Sequence, residues 1–124
     1  KHEFPNLKIM IVEDNKINQV VTRKLLENNN FKCEIVDDGY AAIEILEKTN
    51  FDAILMDINM PLINGFETSK IIRQKGNTIP IIAVTAFDKQ DIEEKIKEAK
   101  IDEVIVKPFD SKKLFEVIKR FVEE

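Results

Sequence analysis

A chain of 124 residues with 44% apolar content is the size of one domain, with a core large enough to fold without disulfides or a structural metal. Its charged residues, 34% of the total, intersperse both signs and sum to −4, which excludes a disordered polyelectrolyte and argues against a basic nucleic-acid-binding face. One cysteine rules out a disulfide framework or a cysteine zinc site, the one histidine, His2, sits in the N-terminal tail and argues against a Ser-His-Asp triad or a His-rich metal site, and three glycines spell no glycine-rich phosphate loop.

From the N-terminus, Lys1-His2-Glu3 lacks an initiator Met and reads as the start of a segment processed or cut from something longer. Residues 1–6 read as a tail and 7–124 as a single domain. Leu7 to Val12 is a β-branched apolar run, the first strand. Lys16 to Asn29 carries Ile17, Val20, Val21 and Leu25 at helical spacing, and most of these are expected to face a sheet. Phe31 to Val36 reads as a strand, and Gly39 to Lys48 as a helix capped by Asp37 or Asp38. Phe51 to Met56 is a nearly all-apolar strand. A loop with Pro61, Asn64 and Gly65 follows it, then a helix from Phe66 to about Lys75. Pro80 to Val84 is the fourth strand, and a helix starting at Asp88 turns Ile92, Ile96 and Ala99 inward. Val104 to Val106 is the fifth strand. Ser111 is expected to cap a last helix with a stripe of Leu114, Val117, Ile118, Phe121 and Val122. No apolar run approaches the ~18 residues that would span a membrane, so neither membrane insertion nor a signal peptide is expected. Cys33 reads as a small packing residue.

Strands that are apolar throughout, alternating with helices, imply an α/β fold with a parallel sheet covered on both faces. Right-handed crossovers over five strands favour the flavodoxin-like doubly wound order 2-1-3-4-5, a three-layer (βα)5 sandwich. Sites in such sheets lie at the carboxyl ends of the strands, where the order reverses. Those positions hold Glu13-Asp14 after strand one, Asp57 after strand three, Thr85-Ala86 after strand four and Lys107-Pro108 after strand five.

Three carboxylates, a hydroxyl and an ammonium would therefore converge from four strands. Two carboxylates about 4 Å apart repel by roughly 4 kcal/mol at an effective dielectric near 20, so the cluster calls for a cation. Oxygen donors without His or Cys select a hard divalent ion, and Mg²⁺ takes one or two carboxylates while keeping room for phosphate oxygens. The same acids argue against a flavin phosphate site. A carboxylate is a competent phosphoryl acceptor, and Lys107 can neutralise a phosphoryl oxygen.

Val12-Glu13-Asp14-Asn15, Met56-Asp57-Ile58-Asn59-Met60-Pro61 with Gly65, Val84-Thr85-Ala86 and Val106-Lys107-Pro108-Phe109 resemble the receiver domain of two-component response regulators over essentially the whole chain. The start, followed by Asn18, is most similar to receivers attached to hybrid histidine kinases. The resemblance implies a phosphorylation switch in which Asp57 accepts a phosphoryl group from a partner's phosphohistidine. It implies Mg²⁺ held by Glu13, Asp14, Asp57 and the backbone carbonyl of Asn59. Lys107 would contact the phosphoryl group, the Thr85 hydroxyl would move to it, and the bond before Pro108 would be cis. Implied partners are a histidine kinase or histidine phosphotransfer domain, met through Ile17, Val20 and Val21. A second copy could pair through the helix 4–strand 5–helix 5 face. The implied location is cytoplasmic, including the cytoplasmic part of a membrane-bound hybrid kinase.

The chain departs from that pattern at Val104, three residues before Lys107, where many receivers carry an aromatic switch. Phe87, two residues after Thr85, is expected to shield the site from water and, with Asn59 offering no general base, to slow self-dephosphorylation. The alternative from another class is a Mg²⁺-dependent phosphohydrolase. It would need a second acid two residues past Asp57, where Asn59 stands, and a substrate cap that the short connections do not supply.

Overall fold

The computed structural model describes residues 7–122, so the expected tail over residues 1–6, including His2, lies outside the described residues. The elements alternate as β1 (Lys8–Val12), α1 (Lys16–Glu27), β2 (Lys32–Val36), α2 (Gly39–Leu46), β3 (Ala53–Asp57), α3 (Gly65–Gln74), β4 (Ile81–Thr85), α4 (Glu93–Ala99), β5 (Glu103–Val106) and α5 (Ser111–Val122). All strand pairings are parallel and the order is β2-β1-β3-β4-β5, the flavodoxin-like arrangement expected from the pattern.

The period of two along each strand sorts its side chains into two cores. Met10, Val12, Ile54, Met56, Ile81 and Ala83 join Ala42, Phe66, Ile72 and Ala99 on the face covered by α2, α3 and α4. Ile9, Ile11, Leu55, Ile82, Val84 and Ile105 join Leu26, Leu114, Val117 and Ile118 on the face covered by α1 and α5. The three central strands, β1, β3 and β4, are therefore apolar on both sides, whereas the edge strand β2 alternates with exposed positions.

Three local readings differ from the sequence expectation. Three of the four apolar residues expected to face the sheet from α1 point outward, Ile17 at 74% exposed and Val20 and Val21 each at 51%, while Leu25 is half-buried against the core and Gln19 and Leu26 face the sheet. Residues 19 and 26 are seven apart, two turns on one stripe, and the hydrogen bonds of Gln19 draw that stripe inward. The segment after Asp88 begins as a short 3-10 turn, Lys89–Ile92, before α4 proper, although Ile92 and Ala99 are buried as expected. Asp110, not Ser111, caps α5, because its Oδ1 accepts from the Lys113 N–H and its carbonyl from the Leu114 N–H. Of the two caps expected for α2, Asp38 is the one that accepts from the Ala41 N–H.

Arg73 on α3 was not singled out by any motif. Its guanidinium donates to the carbonyls of Lys100, Asn77 and Ile79 and pairs with Asp102 at 3.0 Å, while Asp102 also accepts the Ile81 N–H. This fork ties the C-terminal end of α3 to the start of β4 and to the turn before β5. It braces the end of the sheet opposite the strand tips that carry the acids.

Candidate functional site

Each site residue sits where a strand gives way to its loop. Glu13 directly follows β1, and its N–H extends the ladder to the Val36 carbonyl. Its carboxylate then accepts the Asn15 N–H, while the Asn15 side chain caps α1 through the Asn18 N–H. The Glu13-Asp14 turn is thus pinned between a strand end and a helix start. Asp57 is the last residue of β3, paired in register with Val84, and Thr85 is the last of β4, paired with Val106. Thr85 Oγ1 accepts the Phe87 N–H at 3.0 Å, and the Thr85 carbonyl accepts the Lys107 N–H at 2.7 Å.

Gly65 explains how the β3–α3 loop packs under Asp57. A Cβ at this position would lie 2.5 Å from the Asp57 carbonyl oxygen and 2.9 Å from the Ile58 Cα, so only hydrogen fits without moving the Asp57 backbone. The Gly65 N–H donates to the Ile58 carbonyl, and the Asn64–Glu67 capping box holds the start of α3.

The structure brings the expected acids together. One carboxylate oxygen each from Glu13, Asp14 and Asp57 lies within 4.8 Å of the others. Glu13 is 5% and Asp57 7% exposed, while Asp14 is open to solvent. Burial, then the neighbouring charge of Glu13, push the Asp57 carboxyl up from 3.8 to about 7, while Lys107 and the Asn59 N–H pull the other way. Lys107 Nζ stands 4.0 Å from Asp57 Oδ1, at the outer limit of an ion pair. Such a cluster is short of positive charge, and its all-oxygen donor set suits a hard divalent cation such as Mg²⁺. The Lys107–Pro108 bond is cis.

Of the remaining expected residues, Val104 is buried within β5 and Phe87 is 45% exposed on the β4–α4 side of the site. Together with Ile58, Asn59, Phe66 and Ile92, Phe87 lines a cavity of about 350 Å³ between the β3–α3 loop and α4.

The response regulator receiver domain model matches residues 9–119. The chain belongs to the response regulator receiver domain family. This receiver domain is 36% identical over 130 residues to Hybrid signal transduction histidine kinase I of Dictyostelium discoideum, covering 94% of the chain but only 8% of that relative. Among solved structures it resembles the receiver domain of sensor histidine kinase PA1611 from Pseudomonas aeruginosa PAO1, which has a magnesium ion coordinated in its active site cleft. The TM-score is 0.88 at 32% identity, covering 95% of this chain and 98% of that one. It also resembles the receiver domain of Ssk1, solved with the histidine phosphotransfer protein Ypd1 of Saccharomyces cerevisiae. Here the TM-score is 0.87 at 26% identity, covering 98% and 92% of the respective chains. The protein is accordingly a signalling domain of the two-component phosphorelay, in a family whose members accept a phosphoryl group on an aspartate.

One polar residue at this end of the sheet escaped the sequence reading. Gln19 is 7% exposed, and its Nε2 donates to the Glu13 carbonyl at 2.6 Å and to Asp37 Oδ1 at 2.8 Å. The available signal was positional: Gln19 lies on the same helical stripe as Leu26, so a core-facing Leu26 implies a core-facing amide.

Proposed function

We propose that Asp57 is the phosphoacceptor of this receiver and that Glu13, Asp14, Asp57 and the Asn59 carbonyl are its Mg²⁺ ligands. The observation that carries this is the buried Asp57 carboxylate, clustered with two further acids and faced by Lys107. A carboxylate oxygen of Asp57 attacks the phosphorus of a partner's phosphohistidine, the P–N bond breaks, and the leaving imidazole nitrogen takes up a proton. Bound Mg²⁺ supplies positive charge that favours the ionised acceptor and offsets the charge on the phosphoryl oxygens. Lys107 neutralises a further phosphoryl oxygen, and its backbone N–H holds the strand-five loop to Thr85. The Thr85 hydroxyl, oriented by the Phe87 N–H, turns to donate to the phosphoryl group, which releases its hold on the β4–α4 loop.

The outward apolar patch of Ile17, Val20 and Val21 on α1 is the docking surface for a histidine kinase or phosphotransfer domain, beside the acid cluster. A second copy pairs through the α4–β5–α5 face. There Glu103 of β5 bridges Lys89 at 3.0 Å and Arg120 at 3.1 Å along a groove that Val104 lines. With Val rather than an aromatic residue at position 104, the signal reaches this face through the Thr85–Phe87–Lys89 segment. The domain works on the cytoplasmic side. Among the described residues, no helix is long and apolar enough to cross a membrane.

The test is incubation with Mg²⁺ and a small phosphodonor or beryllofluoride, read by mass spectrometry or NMR. A stoichiometric adduct in the wild type that is lost in Asp57→Asn is expected. No adduct, or one that survives in Asp57→Asn, overturns the acceptor assignment, and continuous turnover of a phosphate ester would favour the phosphohydrolase.

A further inference from the structure

We propose that Gln19 is a positioning residue for the metal-binding acids, and this rests on the Mg²⁺ site proposed above. Glu13 and Asp14 sit on a turn that extends the sheet through the Glu13 N–H bond to Val36. The carbonyl of the same residue accepts from Gln19 Nε2 at 2.6 Å. That carbonyl belongs to the peptide plane joining Glu13 to Asp14, so holding it fixes the direction in which both acids leave the backbone.

The second proton of the same amide goes to Asp37 Oδ1 at 2.8 Å, and Lys16 Nζ reaches the same oxygen at 3.0 Å. Asp37 follows β2 directly, so one buried amide links the acid turn after β1, the first turns of α1 and the end of β2. Both partners are acceptors, so only the nitrogen of the amide can occupy this place, and a carboxylate of the same shape cannot. Lys16 and Gln19 also hold the Asp37 carboxyl below its ordinary range, keeping it ionised as an anchor.

The need for such a tie follows from the cluster. Three acids with oxygens within 4.8 Å repel one another as they ionise, which favours a spread Asp14 turn that must be regathered each time a cation binds. Gln19 keeps the acids gathered beforehand, so the ordering cost does not fall on metal binding. Partners behind a metal ligand are typically worth about ten- to a hundredfold in metal affinity.

The experiment titrates Mg²⁺ into the whole chain by NMR, following the amides of Asp14 and Asn59, for the wild type, Gln19→Leu, Gln19→Glu and Leu26→Ala. Gln19→Leu should raise the Mg²⁺ Kd about tenfold, and Gln19→Glu at least as much, because its oxygens face two acceptors. Leu26→Ala removes packing from the same buried stripe of α1 and should lower the melting temperature while leaving the Mg²⁺ Kd unchanged. If Gln19→Leu does not fold, Gln19→Asn, one methylene too short to reach both partners, should show the same weakening. Wild-type affinity in the folded Gln19 variants overturns the proposal while leaving the metal site standing. An equal loss of affinity in Leu26→Ala also overturns it, since the effect would then be one of general stability. Absence of Mg²⁺ binding in the wild type overturns the metal site and this role together.

Discussion

Replacing Asp57 by Asn should make the metal-free protein more stable, and the gain should grow with pH. Asn keeps the shape of the side chain and still accepts the Asn59 N–H, but it removes a charge that burial and Glu13 oppose. The sign follows from proton linkage. An acid whose folded pKa lies above its unfolded value binds more protons when folded, so stability falls as pH rises between the two values. For Asp57 that window runs from 3.8 to about 7. At about 1.4 kcal/mol per pH unit, the wild type loses about 4 kcal/mol across it, a loss that the Asp57→Asn variant does not suffer. Urea denaturation of both proteins in chelator should therefore give a stability gap that is small near pH 4, widens through pH 5 and 6, and levels off above pH 7. Saturating Mg²⁺ should close most of the gap by stabilising only the wild type in proportion to its occupancy. A gap that is flat with pH, or an Asn variant less stable than the wild type at pH 8, would refute the account of a charge held in place against its surroundings.

Three further outcomes test separate parts of the structure. Phe87→Glu should shorten the lifetime of the phosphorylated state, because a carboxylate replaces an apolar ring beside the site and can activate water; a phosphate-release time course that is unchanged or slower counts against this shielding role. Ser69→Ala should raise stability by about 1 kcal/mol in urea melts, since the Ser69 hydroxyl is buried without a hydrogen-bond partner. Gly65→Ala should cost about 2–3 kcal/mol and also slow acceptance of phosphate from a small donor, because the added methyl drives into the backbone of Asp57 and Ile58; loss of stability with normal phosphorylation would show that the loop yields elsewhere.

Much of the fold was legible because local periodicity carries it. Runs such as Ile9 to Val12 and Ala53 to Met56 are apolar at every position and too short for a buried helix, which fits strands buried on both faces, and their alternation with helices leaves few topologies open. The acids, Thr85 and Lys107 were legible for the same reason, since their positions at strand ends follow once the strands are placed. The expected orientation of α1 failed because its apolar residues and its amide-bearing stripe are both helical in period. Sequence spacing says which residues share a face, not which face meets the sheet.

Chain order therefore settled the kind of fold, the crossover pattern and the set of groups gathered at one sheet edge. Only the folded molecule decided how close those groups come and what they do to one another. The rise of Asp57 to about 7 depends on its burial and on Glu13, which lies forty-four residues away in sequence and in the same cluster in space. Gln19 acquires a role only because β2 ends beside β1, bringing Asp37 within reach of an amide on α1. Periodicity is a property of neighbours along the chain, whereas charge interaction and hydrogen bonding depend on distances that exist only after the sheet has closed.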